Sequence, residues 1–254
     1  MAEKSKPVDN LRADAEKIIE SAIAAVLPDE AVERALRGKI FPGRVYLVAA
    51  GKAAWQMAHA ARACLQDNFC GGVVVTKYGH VKGEIANVAC FEGGHPVPDE
   101  NSLRGTDAAL ALTEDLTESD TVVFLLSGGG SALFEKPLLP LAELQDVTNQ
   151  LLAAGADIVE INTIRKRLSA VKGGRFARHC APAQVFAVVL SDILGDPLDM
   201  IASGPAYPDS SSCAQALDIA KRYGLRLSER AWALLAQETP KTLTNVETQI
   251  TGSV

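Results

Sequence analysis

The chain has 254 residues, 48% hydrophobic and 22% charged, which is enough apolar sequence to bury a sizeable core and excludes a disordered chain. Its formal net charge of −6 argues against nucleic acid as a partner, because a phosphate backbone needs a basic face, yet leaves room for a small anion held by a local basic cluster. No apolar run approaches the roughly 18 residues needed to span a bilayer, and the opening MAEKSKPVDN lacks the apolar stretch of a secretory signal. The expectation is a cytoplasmic protein with no membrane partner, for which a homo-oligomer is compatible.

Asn10 reads as the cap of a first helix with an apolar stripe at Leu11, Ala15, Ile18, Ile19, Ala22, Ile23 and Val26, ended by Pro28 and Asp29. A continuous apolar run over 45–50 follows, then Gly51-Lys52 and a helix through Leu65, the opening of a strand–turn–helix unit. Further strands are expected at 73–76, 88–92, 121–126 and 185–190. Helices are expected at about 100–116, 140–154, 158–170, 212–223 and 228–236. The last residues, Thr248 onward, read as another strand. Strands without polar alternation are covered on both faces, as in parallel sheets. The predicted fold is therefore α/β: an open, doubly wound, mainly parallel sheet sandwiched by helices, Rossmann-like. The five cysteines include no CxxC pair, so neither a zinc site nor a redox motif is signalled, and they read as reduced, mostly buried thiols.

In such a sheet ligands gather at the carboxyl ends of the strands, so the residues after each strand carry the functional signal. Ser127-Gly128-Gly129-Gly130-Ser131 follows a buried strand. Three glycines allow successive N–H groups to converge on an anion, although a plain tight turn has the same composition. The run is neither a GxxxxGK[ST] loop nor a GxGxxG fingerprint.

Asn162 to Arg175 concentrates basic residues in an acidic chain. At helical spacing Asn162, Arg165 and Lys166 share a face that Lys172 extends, suited either to phosphate and carboxylate or to a solvated surface. Asp192, just past a strand, can hold Mg2+ or accept a hydroxyl proton. Asp196, Asp199 and Asp209 read as turn residues. Lys52 can reach a phosphoryl group as a compact charge or simply sit exposed in a loop. His95 is fixed in a glycine- and proline-rich loop, where a structural role is the commoner outcome.

Five segments occur together and in order: AAGKAA (49–54), GGHPVPDENS (93–102), LLSGGGSAL (125–133), EINTIRKRLSAVKGGR (160–175) and LSDILGDPLDMIASGP (190–205). Together they resemble the glycerate kinase family whose members carry a MOFRL C-terminal domain. The resemblance implies that residues 1–247 form an N-terminal α/β kinase domain and that 248–254 begin the connection to a C-terminal domain absent from this chain. It further implies ATP-dependent phosphorylation of glycerate to 2-phosphoglycerate, with ATP and Mg2+ as co-substrate and metal. Lys52 and Asp192 would be catalytic, with Asp192 also toward the metal. The SGGGS loop would hold phosphates or the substrate carboxylate, His95 and Asn162 would join it in binding nucleotide or substrate, and Arg165, Lys166 and Lys172 would add positive charge. Two rivals remain: an NAD(P)-dependent hydroxypyruvate reductase, and a non-catalytic module that binds a phosphorylated metabolite.

Overall fold

The computed structural model describes residues 7–25, 27–191 and 195–251. Six strands form one sheet: β1 (Val45–Ala50), β2 (Phe69–Lys77), β3 (Val88–Gly93), β4 (Thr121–Leu126), β5 (Gln184–Leu190) and β6 (Val246–Thr251). Every neighbouring pair is parallel, in the order β3-β2-β1-β4-β5-β6. That order places the reversal of winding between β1 and β4, where Ala50 stands beside Leu126 at the carboxyl ends.

Ten helices accompany the sheet among the described residues: α1 (Pro7–Ala25), α2 (Pro28–Leu36), α3 (Ala54–Cys64), α4 (Glu100–Leu112), α5 (Gly130–Leu133), α6 (Leu141–Ala153), α7 (Ile158–Arg167), α8 (Arg175–Cys180), α9 (Cys213–Arg222) and α10 (Glu229–Leu235). The alternation of the strand makes the continuous apolar runs intelligible. Val122, Phe124 and Leu126 face one core, completed by Phe134 and Phe176. Val123 and Leu125 face the other, completed by α2 and α3 through residues such as Val32 and Met57. Both faces of β4 are buried, so every residue after Thr121 in it is apolar. A third cluster joins α6, α7, α9 and α10 through Leu144, Ile164, Ile219 and Leu235.

Several boundaries differ from the sequence expectation. The first helix already runs from Pro7, so Asn10 lies inside it rather than at its start, and its Leu11, Ile18, Ile19 and Ile23 are exposed. Pro28 starts a second helix rather than ending the first, because proline at N1 gives up an N–H that has no helical partner anyway. The terminal strand begins at Val246 and is the sixth strand of this same sheet. Cys64 and Cys70 are exposed, against the expectation of mostly buried thiols, and Cys180 alone of the five is fully buried. No described helix is long and apolar enough to cross a membrane.

Candidate active site

At the switch point the turns after β1 and β4 are laced together. Ser127 N–H donates to Ala50 O (3.0 Å), Lys52 N–H to Gly128 O (2.8 Å), and Ala53 N–H to Ser127 Oγ (3.0 Å). The turn after β1 is also held from β2, where Thr76 Oγ1 donates to Gly51 O (2.9 Å). Lys52 and the glycine loop are therefore positioned by one network rather than by two independent loops.

The glycine loop keeps its amides available. Gly130 N–H is spent on Ser127 O (3.3 Å), whereas the N–H groups of Gly128, Gly129 and Ser131 have no acceptor among the described residues. Unclaimed amides at a sharp turn are a ready anion nest. His95 and Lys52 border it: a β-carbon placed on Gly129 would meet His95 Cδ2 at 2.9 Å and Lys52 Cγ at 3.1 Å. His95 sits on the loop after β3, which Asp99 closes by capping α4 at Ser102 N–H (2.9 Å). Partial burial, then the charges of Lys52 and Lys77, hold the His95 imidazole below its usual pKa, so it is neutral at neutral pH.

Helix α7 forms the opposite wall. Asp157 caps it by accepting from Glu160 N–H (2.9 Å), and Asn162 and Arg165, three residues apart, face the same cleft. Asn162 Oδ1 accepts from Ser203 Oγ (2.8 Å), and Ser203 Oγ lies 3.2 Å from Ser131 Oγ. Ala202, Ser203 and Gly204 are successively left-handed, at φ of 50°, 63° and 62°. The first two each cost on the order of 1–3 kcal/mol, and such strain persists where surroundings enforce it. Here Gly173 N–H holds Ser203 O (3.0 Å) and Gly174 N–H holds Gly204 O (2.7 Å). The result is a cleft of about 240 Å3 lined by His95, Gly128, Gly129, Ser131, Asn162 and Arg165 among others.

The basic stretch divides. Arg165 reaches the cleft, its Nη2 donating to Ser131 O (3.0 Å) while its Nε is buried without a partner. Lys166 and Lys172, expected to face an anionic ligand, do not: both are fully buried. Lys166 Nζ pairs with Asp209 (3.0 Å) and Asp199 (3.2 Å). Lys172 Nζ donates to Ser131 O and Phe134 O, each at 2.9 Å, and lies 3.5 Å from Glu135 Oε2. The helix ends at Arg167, so Lys172 is not on the helical face assigned to it; it fastens the glycine loop from beneath. Burial pulls its pKa down to about 8, partly offset by Glu135. Asp209, expected as a turn residue, is a buried counter-ion held near a pKa of about 2; burial acts against that, and bonds from Thr239 and the charge of Lys166 prevail. Glu135, which sequence reasoning missed, is fully buried between Lys172 and Arg165, 3.6 Å from the latter, and only its position after an apolar run hinted at a role.

Asp192 lies outside the described residues. Within the same loop, Asp196 Oδ1 is buried with no hydrogen-bond partner among the described residues. No group of three His, Cys, Asp or Glu among those residues is placed to hold a metal ion.

A family model described as a domain of unknown function, DUF4147, matches residues 14–236. The chain belongs to the DUF4147 family. It is 53% identical over 248 residues to a D-glycerate 2-kinase of Thermotoga maritima, a match covering 97% of this chain and 59% of that protein. It is 42% identical to a putative hydroxypyruvate reductase of Agrobacterium vitis, over 89% of this chain and 52% of the relative. The crystal structure of a Thermotoga maritima glycerate kinase superposes with a TM-score of 0.91 at 52% identity, covering 96% of this chain and 59% of that one. This DUF4147 chain thus spans about half of the length of the relatives it matches, and 59% of the Thermotoga protein.

Proposed function

We propose that this chain supplies the phosphate-binding half of a glycerate 2-kinase active site, in which ATP phosphorylates the carbon-2 hydroxyl of glycerate. The observation that carries the reading is the set of three unclaimed amides on the SGGGS loop, flanked by Lys52 and Arg165 at the switch point. Phosphoryl transfer asks for positioning and charge stabilisation more than for covalent chemistry, and this cleft offers both.

In this reading the amides of Gly128, Gly129 and Ser131 bind phosphate oxygens. Lys52 neutralises charge gathering on the transferred group, and Arg165 holds a carboxylate or phosphate from the α7 wall. Asp192, which follows β5 in sequence, orients the hydroxyl and accepts its proton in this reading. Neutral His95 donates or accepts one hydrogen bond at the loop without adding charge. Mg2+ is usually held by one or two carboxylates together with substrate phosphates, and Asp192 and Asp196 are the side chains suited to that task. The ion, when bound, screens the charge of the phosphates. The α/β unit, β6 included, would then act as the kinase domain, completed by the part of the relatives' length that this chain does not span.

The reductase reading lacks its cofactor signature, since the turn after β1 is Ala-Gly-Lys-Ala rather than GxGxxG. Coupled assays on the protein carrying this chain separate the alternatives. Glycerate-dependent ADP release is expected. NAD(P)H oxidation with hydroxypyruvate, or tight metabolite binding with no turnover of either kind, would replace the kinase reading.

A further inference from the structure

Beside this cleft lies a second hollow of about 250 Å3, and Pro96 and Arg165 line both. Its chemistry is different. Val97 and Pro98, from the loop after β3, form one wall, and Leu144 and Leu152 of α6 form the other. Gln145 Nε2 donates to Pro98 O (3.1 Å) and spans the two walls, so their separation is set by the fold. Val97 and Leu152 are nevertheless 56% and 60% exposed. Large apolar side chains left wet beside a recess are surface that a ligand can dry. At the rim, the side-chain amide of Asn149 has no hydrogen-bond partner among the described residues.

A ligand that fills both hollows joins an anionic group to a body with apolar faces. Glycerate has a carboxylate and two hydroxyls but no apolar body, so the second hollow has nothing to offer it. A nucleoside triphosphate has both parts. Arg165 stands at the junction, and a guanidinium can pair with an anion at its edge while stacking its face on an aromatic ring. The geometry points to the hollow between Val97–Pro98 and α6 as the seat of the adenine base of ATP, with Asn149 at its polar edge and the phosphates running past Arg165 to the glycine loop. This assignment rests on the phosphoryl-transfer reading above and adds to it the position of the base.

The test compares two probes by calorimetry: ATP, which carries the base, and inorganic tripolyphosphate, which does not. Each is titrated into the unmodified protein and into Leu152→Glu, an exposed substitution that the fold should tolerate. Val159→Glu, another exposed change outside this hollow, controls for added surface charge. ATP should bind the unmodified protein at least about tenfold more tightly than tripolyphosphate, in line with the worth of one well-stacked base. Leu152→Glu should remove most of that difference while leaving tripolyphosphate within about twofold. Val159→Glu should change neither. Equal binding of the two probes, or an ATP advantage that survives Leu152→Glu, would overturn the placement of the base and leave the phosphate cleft intact. No binding of either probe would overturn the phosphoryl-transfer reading and this inference with it.

Discussion

Gly51 and Ser127 are in such close contact that a β-carbon on Gly51 would stand 2.3 Å from Ser127 Oγ and 2.5 Å from Ser127 O. The φ of Gly51 is also +122°, a conformation that side chains rarely adopt. The two switch-point turns can therefore be laced together only because residue 51 has no side chain. Gly51→Ala should cost at least about 2 kcal/mol, from backbone strain and from the displaced Ser127. It should also weaken tripolyphosphate binding, because the amides of the glycine loop would shift. Urea denaturation and the same calorimetry measure both, and an unchanged midpoint would show that the turns are not coupled.

Lys52 is exposed and borders the glycine loop, so its removal should spare the fold and strike the reaction. Lys52→Ala should lower kcat by at least about tenfold to a hundredfold, a loss of roughly 1.4–2.7 kcal/mol in the transition state. Thermal stability should stay nearly constant. Steady-state kinetics on the protein carrying this chain decide it: full turnover by the variant would take Lys52 out of the mechanism.

The parts of this site that could be read in the sequence were those set by neighbours in the chain. Gly51-Lys52 and the SGGGS run announce themselves because each directly follows a strand buried on both faces, and the parallel order then brings them together. The parts that could not be read were set by distant partners. Lys166 and Lys172 looked like solvent or ligand charges because Asp209 and Glu135 are 43 and 37 residues away along the chain, and nothing local signals that the lysines are buried against them. Helical spacing also misled beyond Arg167, where the chain leaves the helix so that Lys172 can reach under the glycine loop. Pro28 was misread for another reason: the same residue that stops one helix can start the next.

Burying Lys172 beside Glu135 makes a pair that is safe together and costly apart. Lys172→Met should destabilise by about 3–5 kcal/mol, since Glu135 would keep only the more distant Arg165. The double variant Lys172→Met with Glu135→Gln should be less damaged than the single one. The pH dependence has a definite sign. The folded pKa of about 8 lies below the ordinary 10.5, so between those values the unfolded chain holds the proton and the folded one does not. The penalty, on the order of 3 kcal/mol, is fully present below about pH 8 and is relieved as pH rises toward 10.5. Denaturation at pH 7.5 and 10 should show this upward trend in the parent and its loss in the double variant; identical trends would mean that Lys172 does not titrate there.

His95 reports on the charge of the cleft. Its pKa is lowered by partial burial, then by Lys52 and Lys77, so as pH falls through the ordinary value of 6.5 the unfolded chain takes up a proton first. Stability should therefore decline on acidification through that window and level off once the folded imidazole is also protonated. Two perturbations should move the midpoint upward: Lys52→Ala, which removes a repelling charge, and bound tripolyphosphate, which adds an attracting one. An NMR titration of the His95 ring protons follows each directly. A midpoint indifferent to both would place His95 outside the electrostatic reach of the glycine loop, and the anion site would have to be sought elsewhere along the carboxyl edge of the sheet.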